Sequence, residues 1–459
     1  MNERVNTYFA ELRGKHVVVV GIGVSNRPLI KMLLQYGIQV TACDRTEREQ
    51  VDPEVLQLEQ NGACLRLGSH YLDDLTADVV FRTPGMHPDL PALRALREKG
   101  AVITSEMEAF FAVCPCKIIG VTGSDGKTTT TTLIAEILKK AGKTVWIGGN
   151  IGQPLLPLAQ DMEPEHIAVV ELSSFQLMNM QTSPQVAVIT NLAPNHLDVH
   201  KDMDEYVQAK ENLYLHQDHH GKVILNLDNA ITASFAEKAV GSVRQFSVRS
   251  KPERGAWLEG DTLMHNGLPV MTRQDILLPG MHNVENYLAA ICAVEDDASD
   301  ADVLAVARSF GGVEHRIELV RSVRGVRYYN DSIASSPSRT IAGLHAFDQK
   351  VILIAGGYDK HIPFDVLGPE ICAHVKRLIL CGDTAEKIRQ AVVQCPQYHA
   401  DAPEISVCHS LHDAVNDAAA HSASGDVVTL SPACAAFDQF KNFMVRGKAF
   451  KDMVAQLPE

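Results

Sequence analysis

The chain offers no uninterrupted apolar run of the ~18 residues that a bilayer-crossing helix requires. Its first residues, Met1-Asn2-Glu3-Arg4, lack the basic start and apolar core of a secretory signal. A cytoplasmic protein without membrane insertion is therefore expected. Metal-spaced cysteine is absent as well: the ten Cys are scattered, and Cys114-Pro115-Cys116 is not a CxxC pair. Reduced, mostly buried thiols are the expectation for such cysteines. Positive charge is in short supply, with 42 Lys and Arg against 56 Asp and Glu and a formal charge of −14. That balance argues against a large footprint on nucleic acid or on an anionic membrane, but leaves room for phosphates held by local charge. No internal repeat or low-complexity segment breaks the 459 residues. This length exceeds what one core supports, and about two to four domains are expected.

What is present centres on Gly120-Val121-Thr122-Gly123-Ser124-Asp125-Gly126-Lys127-Thr128. An apolar strand, Lys117 to Val121, runs into a glycine-rich turn. A helix then opens at the threonines and carries Leu133, Ile134, Ile137 and Leu138 on one stripe. Backbone N–H groups at such a turn are unsatisfied and point at an anion. Lys127 adds a point charge for phosphates, and the Thr128 hydroxyl is placed for Mg²⁺. The Walker A spacing is one residue too long, so ordinary turn chemistry stands as the alternative.

The first stretch reads as a βαβ unit. A Val-rich strand (residues 15–20) leads to Gly21-Ile22-Gly23-Val24-Ser25-Asn26, a helix, and a second strand closed by Asp44. This is a dinucleotide-fold layout, but Asn26 stands where the third glycine of G-x-G-x-x-G belongs. Such a loop can equally hold a nucleotide-sugar pyrophosphate. Another strand ends at Thr83-Pro84-Gly85. Further on, apolar strands deliver Gly148-Gly149-Asn150, Glu171-Leu172-Ser173-Ser174 and Asn191 at their carboxyl ends, where α/β sheets bind ligands. Glu171 after four apolar residues is a natural Mg²⁺ carboxylate. Lys210, in a helical pattern, reads by itself as a surface lysine. Asn283 and Asn286 share one face of a helix. Beyond Gly311-Gly312 a third α/β unit alternates strands and helices in a parallel, doubly wound pattern.

These words come in a fixed order: Thr122 to Thr128, Gly148 to Gly152, Glu171 to Gln176, Asn191 to Asp198, His282 to Asn286, Glu314-His315-Arg316, and Ser431 to Phe443. In that order the chain resembles the Mur ligase family over essentially its whole length. The resemblance implies an α/β protein of three domains: a Rossmann-like domain for a UDP substrate (1–106), a central P-loop ATPase-type domain with a mostly parallel sheet (107–312), and a Rossmann-like, doubly wound domain for an amino acid (313–459). The implied reaction is ATP-dependent amide synthesis through an acyl phosphate. The last motif is most similar to the branch that adds D-glutamate to UDP-N-acetylmuramoyl-L-alanine. Another amino-acid ligase of the superfamily is the alternative.

By resemblance, ATP falls to Gly123, Ser124, Asp125, Gly126, Lys127, Thr128 and Thr129, with Asn283, Asn286, Arg316 and Asp331. Two Mg²⁺ ions are implied, on Thr128, Glu171, His196 and a carbamylated Lys210. Lys127, Glu171, His196 and Lys210 would carry catalysis. An ammonium ~4 Å from a divalent ion is repelled by roughly 8 kcal/mol at an effective dielectric of 20, so a lysine facing the metals should be neutral or carbamylated. The UDP substrate falls to Ser25, Asn26, Asp44, Arg45 and Gly85, with Asn150 near the phosphates. D-Glutamate falls to Ser335, Lys360, Phe437 and Phe443. Ala436 and Ile333 depart from the family, standing where a serine and, in many members, a lysine occur. A monomer is expected.

Overall fold

The computed structural model describes residues 2–194, 200–360, 362–399 and 402–459. It forms two compact units, Met1–Asp275 with Val284–Val306, and Ile276–Asn283 with Ala307–Glu459. Three sheets run through them, each the base of one α/β domain.

The first sheet has five parallel strands in the spatial order Cys64–Leu67, Val40–Asp44, Val17–Val20, Val79–Arg82, Val102–Thr104. Val17–Val20 is apolar without alternation because both its faces are covered. Val17 and Val19 pack with Leu29, Leu33 and Phe110, while Val18 and Val20 pack with Val80, Leu93 and Leu96. From this central strand the chain turns to Val40–Asp44 on one side and later to Val79–Arg82 on the other. A crevice therefore opens at the carboxyl ends of Val17–Val20 and Val79–Arg82.

The second sheet has nine strands. Seven are parallel, from Val145–Gly149 through Ile167–Glu171, Lys117–Thr122, Val186–Ile189, Lys222–Asn226 and Ser242–Ser247 to Gly255–Glu259. Thr262–His265 and Leu268–Thr272 then add antiparallel, so the last edge of the sheet carries Pro269. Parallel pairing puts Thr122, Glu171, Gly149 and Thr190 at one edge. The Lys127–Lys140 helix buries Leu133, Ile134, Ile137 and Leu138, the stripe read from the sequence.

In the second unit six strands lie in the order Glu318–Val323, Val326–Asn330, Val427–Leu430, Val351–Ala355, Val375–Cys381, Glu404–Cys408. All pair parallel except the first, which is antiparallel. Polar residues such as Glu318, Arg321 and Ser322 hide this edge strand from a hydrophobicity reading.

Candidate active site

The phosphate loop joins the Lys117–Thr122 strand to the Lys127–Lys140 helix, and its glycines are steric requirements. Gly123 has φ +151° and Gly126 φ +76°. A Cβ on Gly123 would lie 1.9 Å from Thr190 Oγ1, and one on Gly126 would lie 2.5 Å from Asn286 Oδ1. Gly126 caps the helix without a side chain, which leaves the first-turn N–H groups facing outward. Neighbouring strand ends brace the loop. Thr190 Oγ1 donates to Asp125 O (2.6 Å), Asp125 N–H donates to Asn191 Oδ1 (2.9 Å), and Ser124 Oγ donates to Ala193 O (2.9 Å). Thr130 Oγ1 donates to Asn286 Oδ1 (3.1 Å), which ties the loop helix to the Met281–Val294 helix.

Two lysines converge on one carbonyl of this loop. Lys127 Nζ donates to Gly123 O (2.9 Å) and Ser124 O (2.8 Å). Lys210 Nζ donates to Gly123 O (2.8 Å) and Thr122 Oγ1 (3.1 Å), and sits 4.9 Å from the centre of the Tyr206 ring. Lys210 is 1% exposed, so the reading of it as a surface lysine is wrong. The Met203–Glu211 helix turns this residue inward, against the end of the Lys117–Thr122 strand. Burial, and then the nearby Lys127 charge, push its ammonium well below the usual lysine range; Glu171 and Asp125 oppose that only in part.

Glu171 ends the Ile167–Glu171 strand and is 1% exposed. Its Oε1 accepts from Asn150 Nδ2 (2.8 Å). Its Oε2 is buried and has no hydrogen-bond partner among the described residues. An ionised oxygen left so costs several kcal/mol unless something cationic meets it. The chemistry of the set, a buried carboxylate at the end of the strand next to the one that feeds the phosphate loop and the Thr128 hydroxyl in the helix that follows, suits a hard divalent cation such as Mg²⁺. His196 lies outside the described residues.

In the first-sheet crevice, Asp44 accepts from Ile22 N–H (2.8 Å) and from Thr46 N–H and Oγ1 (3.0 and 2.8 Å). Burial alone would raise the Asp44 pKa, but these hydrogen bonds outweigh it and lower it. A pocket of about 210 Å³ lies beside Asp44 and Ile22. Asn26 is buried and spans the glycine turn, donating to Gly21 O (2.8 Å). Ser25 precedes the Asn26–Gln35 helix and makes no side-chain cap bond. Arg45 and Gly85 are exposed at the crevice.

In the second unit, Asp331 follows the Val326–Asn330 strand and is buried. Burial raises its pKa to about 7, against hydrogen bonds from Ser431 Oγ (2.7 Å) and Ile317 N–H (3.3 Å) and the charge of Arg316. Asn283 Nδ2 donates to Pro279 O (2.6 Å). Phe443 opens the last helix and meets His315 edge-on at 6.0 Å; Ser335 is half-buried nearby in sequence to Asp331. Phe437 and Lys360 are exposed, with Phe437 against Tyr358 at 5.8 Å, and Ala436 is buried.

A family model described as the Mur ligase middle domain matches residues 121–294, and one described as the Mur ligase, glutamate ligase domain matches residues 315–434. Curated relatives named UDP-N-acetylmuramoylalanine--D-glutamate ligase align along nearly the whole chain. That of Clostridium kluyveri is 52% identical over 96% of this chain and 97% of its own. That of Clostridium novyi is 50% identical over 100% of both. The chain belongs to the Mur ligase family. Solved structures share the fold of this Mur ligase at lower identity. A UDP-N-acetylmuramate-alanine ligase from Thermotoga maritima has a TM-score of 0.59 at 18% identity, covering 96% of this chain and 99% of that one. A UDP-N-acetylmuramoyl-L-alanyl-D-glutamate--2,6-diaminopimelate ligase has 0.57 at 17%, covering 88% and 90%.

Several residues that hold the Mur ligase site together carry no motif. Thr190 braces the phosphate loop; a polar residue directly after an apolar strand was its only signal. Arg446 is buried and donates to Ser332 O (2.9 Å), Ser332 Oγ (3.0 Å), Cys434 O (3.0 Å) and Ala435 O (3.0 Å), which fixes the Ser431–Phe443 segment. Burial lowers its pKa to about 10. Among the described residues, one group could hold a metal apart from this site: His345, Glu370 and His374. His345 Nε2 already bonds Glu370 Oε2 at 2.6 Å; His345 and His374 end helices that precede strands, at the sheet edge opposite Asp331 and Ser431, and Glu370 lies one turn before His374.

Proposed function

We propose that this Mur ligase joins D-glutamate to UDP-N-acetylmuramoyl-L-alanine at the expense of ATP, within domains spanning 1–106, 107–312 and 313–459. The observation that carries the chemistry is the strand-edge cluster, where a buried Lys210 bonded to Gly123 O and a buried Glu171 oxygen with no partner among the described residues flank the phosphate loop. The choice of substrates rests on the name borne by relatives at 50–52% identity.

In this reading the amides of Gly123 to Thr129 and the Lys127 ammonium hold the ATP phosphates. Asn283, Asn286, Arg316 and Asp331 hold the rest of the nucleotide. Thr128 and Glu171 would ligate one Mg²⁺, with His196 and a carbamylated Lys210 serving a second; bound metal would neutralise charge on the transferred phosphoryl group. The muramoyl-alanine carboxylate attacks the γ-phosphorus and ADP leaves. The D-glutamate amine then attacks the acyl carbon, and the tetrahedral intermediate expels phosphate with loss of a proton. Lys210 suits its role because a neutral amine is the form that adds to CO₂, releasing a proton and becoming an anion. Ser25, Asn26, Asp44, Arg45 and Gly85 take the UDP moiety, with Asn150 nearer the phosphates, and Ser335, Lys360, Phe437 and Phe443 take D-glutamate. Ala436 is the one observation favouring another amine, since it removes a hydroxyl from that pocket.

Phosphate release from Mg²⁺-ATP is the test, run with UDP-N-acetylmuramoyl-L-alanine and each amino acid in turn. Release that needs both the UDP substrate and D-glutamate is expected. Release with a different amino acid would move the specificity, and no release with any amine would overturn the reading.

A further inference from the structure

Arg82 is the last residue of the Val79–Arg82 strand and is 1% exposed. Among the described residues its guanidinium is met by carbonyls rather than by a carboxylate at ion-pair distance. Nη1 donates to Met86 O (3.0 Å), Pro84 O (3.4 Å) and Thr83 O (3.5 Å), while Nη2 donates to Phe175 O (3.0 Å). Burying a cation is costly; four carbonyl dipoles compensate here, and the charge of Glu108 adds to them from beyond hydrogen-bond distance. The two arms of the planar fork reach different domains of the first unit. Nη1 holds the turn at Gly85, closed by Met86 N–H to Thr83 O (3.1 Å). Nη2 holds the short Ser174–Leu177 helix, whose capping box (Ser173 with Gln176) follows directly from Glu171-Leu172.

That helix is itself tightly held. The Phe175 ring stacks on His200 with centroids 5.3 Å apart and planes 8° apart, and His200 Nε2 lies 2.9 Å from Ser174 Oγ. Beside it Glu205 lies 3.4 Å from His87 Nε2 and 3.5 Å from His200 Nδ1, contacts that become ion pairs when those imidazoles are protonated. Arg82 thus joins the Gly85 turn directly, through its own side chain, to the segment that starts at Glu171.

We propose that Arg82 is a positioning residue that couples the nucleotide-sugar crevice to the phosphate-and-metal edge, so that filling the first tightens binding at the second. This rests on the reading that Gly85 lies at the UDP moiety and Glu171 at the metal. Uridine diphosphate is the probe, because it lacks the sugar and alanine that would themselves reach toward Asn150. Binding of a non-hydrolysable ATP analogue with Mg²⁺ is measured with and without saturating UDP. In the wild type UDP should tighten analogue binding about 5-fold or more. In Arg82→Lys the charge remains, but the shorter stem loses the planar fork whose two separate nitrogens hold Met86 O and Phe175 O, and the factor should drop below about 2-fold. Weaker analogue binding in the presence of UDP, as competition for the ATP site would give, would overturn the inference. Equal factors in wild type and variant, including no effect in either, would overturn the inference alone. Failure of UDP to bind the wild type at all, while the analogue binds, would overturn the underlying reading and this inference with it. Should Arg82→Lys not fold, amide hydrogen exchange in the wild type decides: UDP should slow exchange across residues 173–177, and unchanged exchange there would refute the coupling.

Discussion

At the scale of single residues, the site turns on two side chains buried in the wrong company for their charge. Glu171 carries a buried oxygen that no described residue satisfies, which leaves it open to a cation. Glu171→Gln keeps the Asn150 hydrogen bond and removes that charge; kcat should fall by about 10²–10³-fold, with the Mg²⁺ concentration for half-maximal phosphate release rising. Lys210 should form a carbamate, visible as a new carbonyl signal by ¹³C NMR after exposure to ¹³C-bicarbonate and missing in Lys210→Ala. That variant should lose about 10²-fold or more in kcat while still binding the ATP analogue. Glu171 was legible in the sequence, because four apolar residues before it mark a strand and its edge. The burial of Lys210 was not. It depends on which strand lies beneath a helix, and the atoms it meets, on Thr122 and Gly123, are 88 and 87 positions away.

At the scale of elements, the phosphate loop was legible because strand, turn and helix are adjacent in sequence and each has a local signature. Its glycines can be tested directly. Gly126→Ala must adopt φ +76° and place a Cβ against Asn286 Oδ1. It should lower stability by about 1–3 kcal/mol, read in denaturant melts, and weaken ATP-analogue binding by more than that loss alone produces. The strands Glu318–Val323 and Glu404–Cys408 escaped sequence reading for the converse reason. They are sheet edges, half of each faces water, and their polar residues mask the alternation. The candidate site residues of the second unit rest on words in the sequence rather than on local geometry. Arg446, which pins the Ser431–Phe443 segment, has no sequence signature because its partners are backbone carbonyls.

At the scale of the whole molecule, two buried acids set how stability responds to pH, one in each compact unit. Burial raises Asp331 from 3.8 to about 7 and Glu106, which accepts from Leu156 N–H, from 4.5 to about 7. Between those values the folded chain keeps the two protons that the unfolded chain releases. Folding then takes up protons, so stability should decline as pH rises from about 4 or 5 toward 7. Urea melts at pH 5, 6 and 8 should show this decline, and Asp331→Asn and Glu106→Gln should each flatten it. The nine-stranded sheet has a further consequence for the molecule among its own copies. Its last strand presents Pro269, a residue with no N–H to offer, at the rim where an incoming chain would have to pair. At high protein concentration that rim is a poor template for end-to-end growth, so the sheet can be long without seeding fibrils from that side.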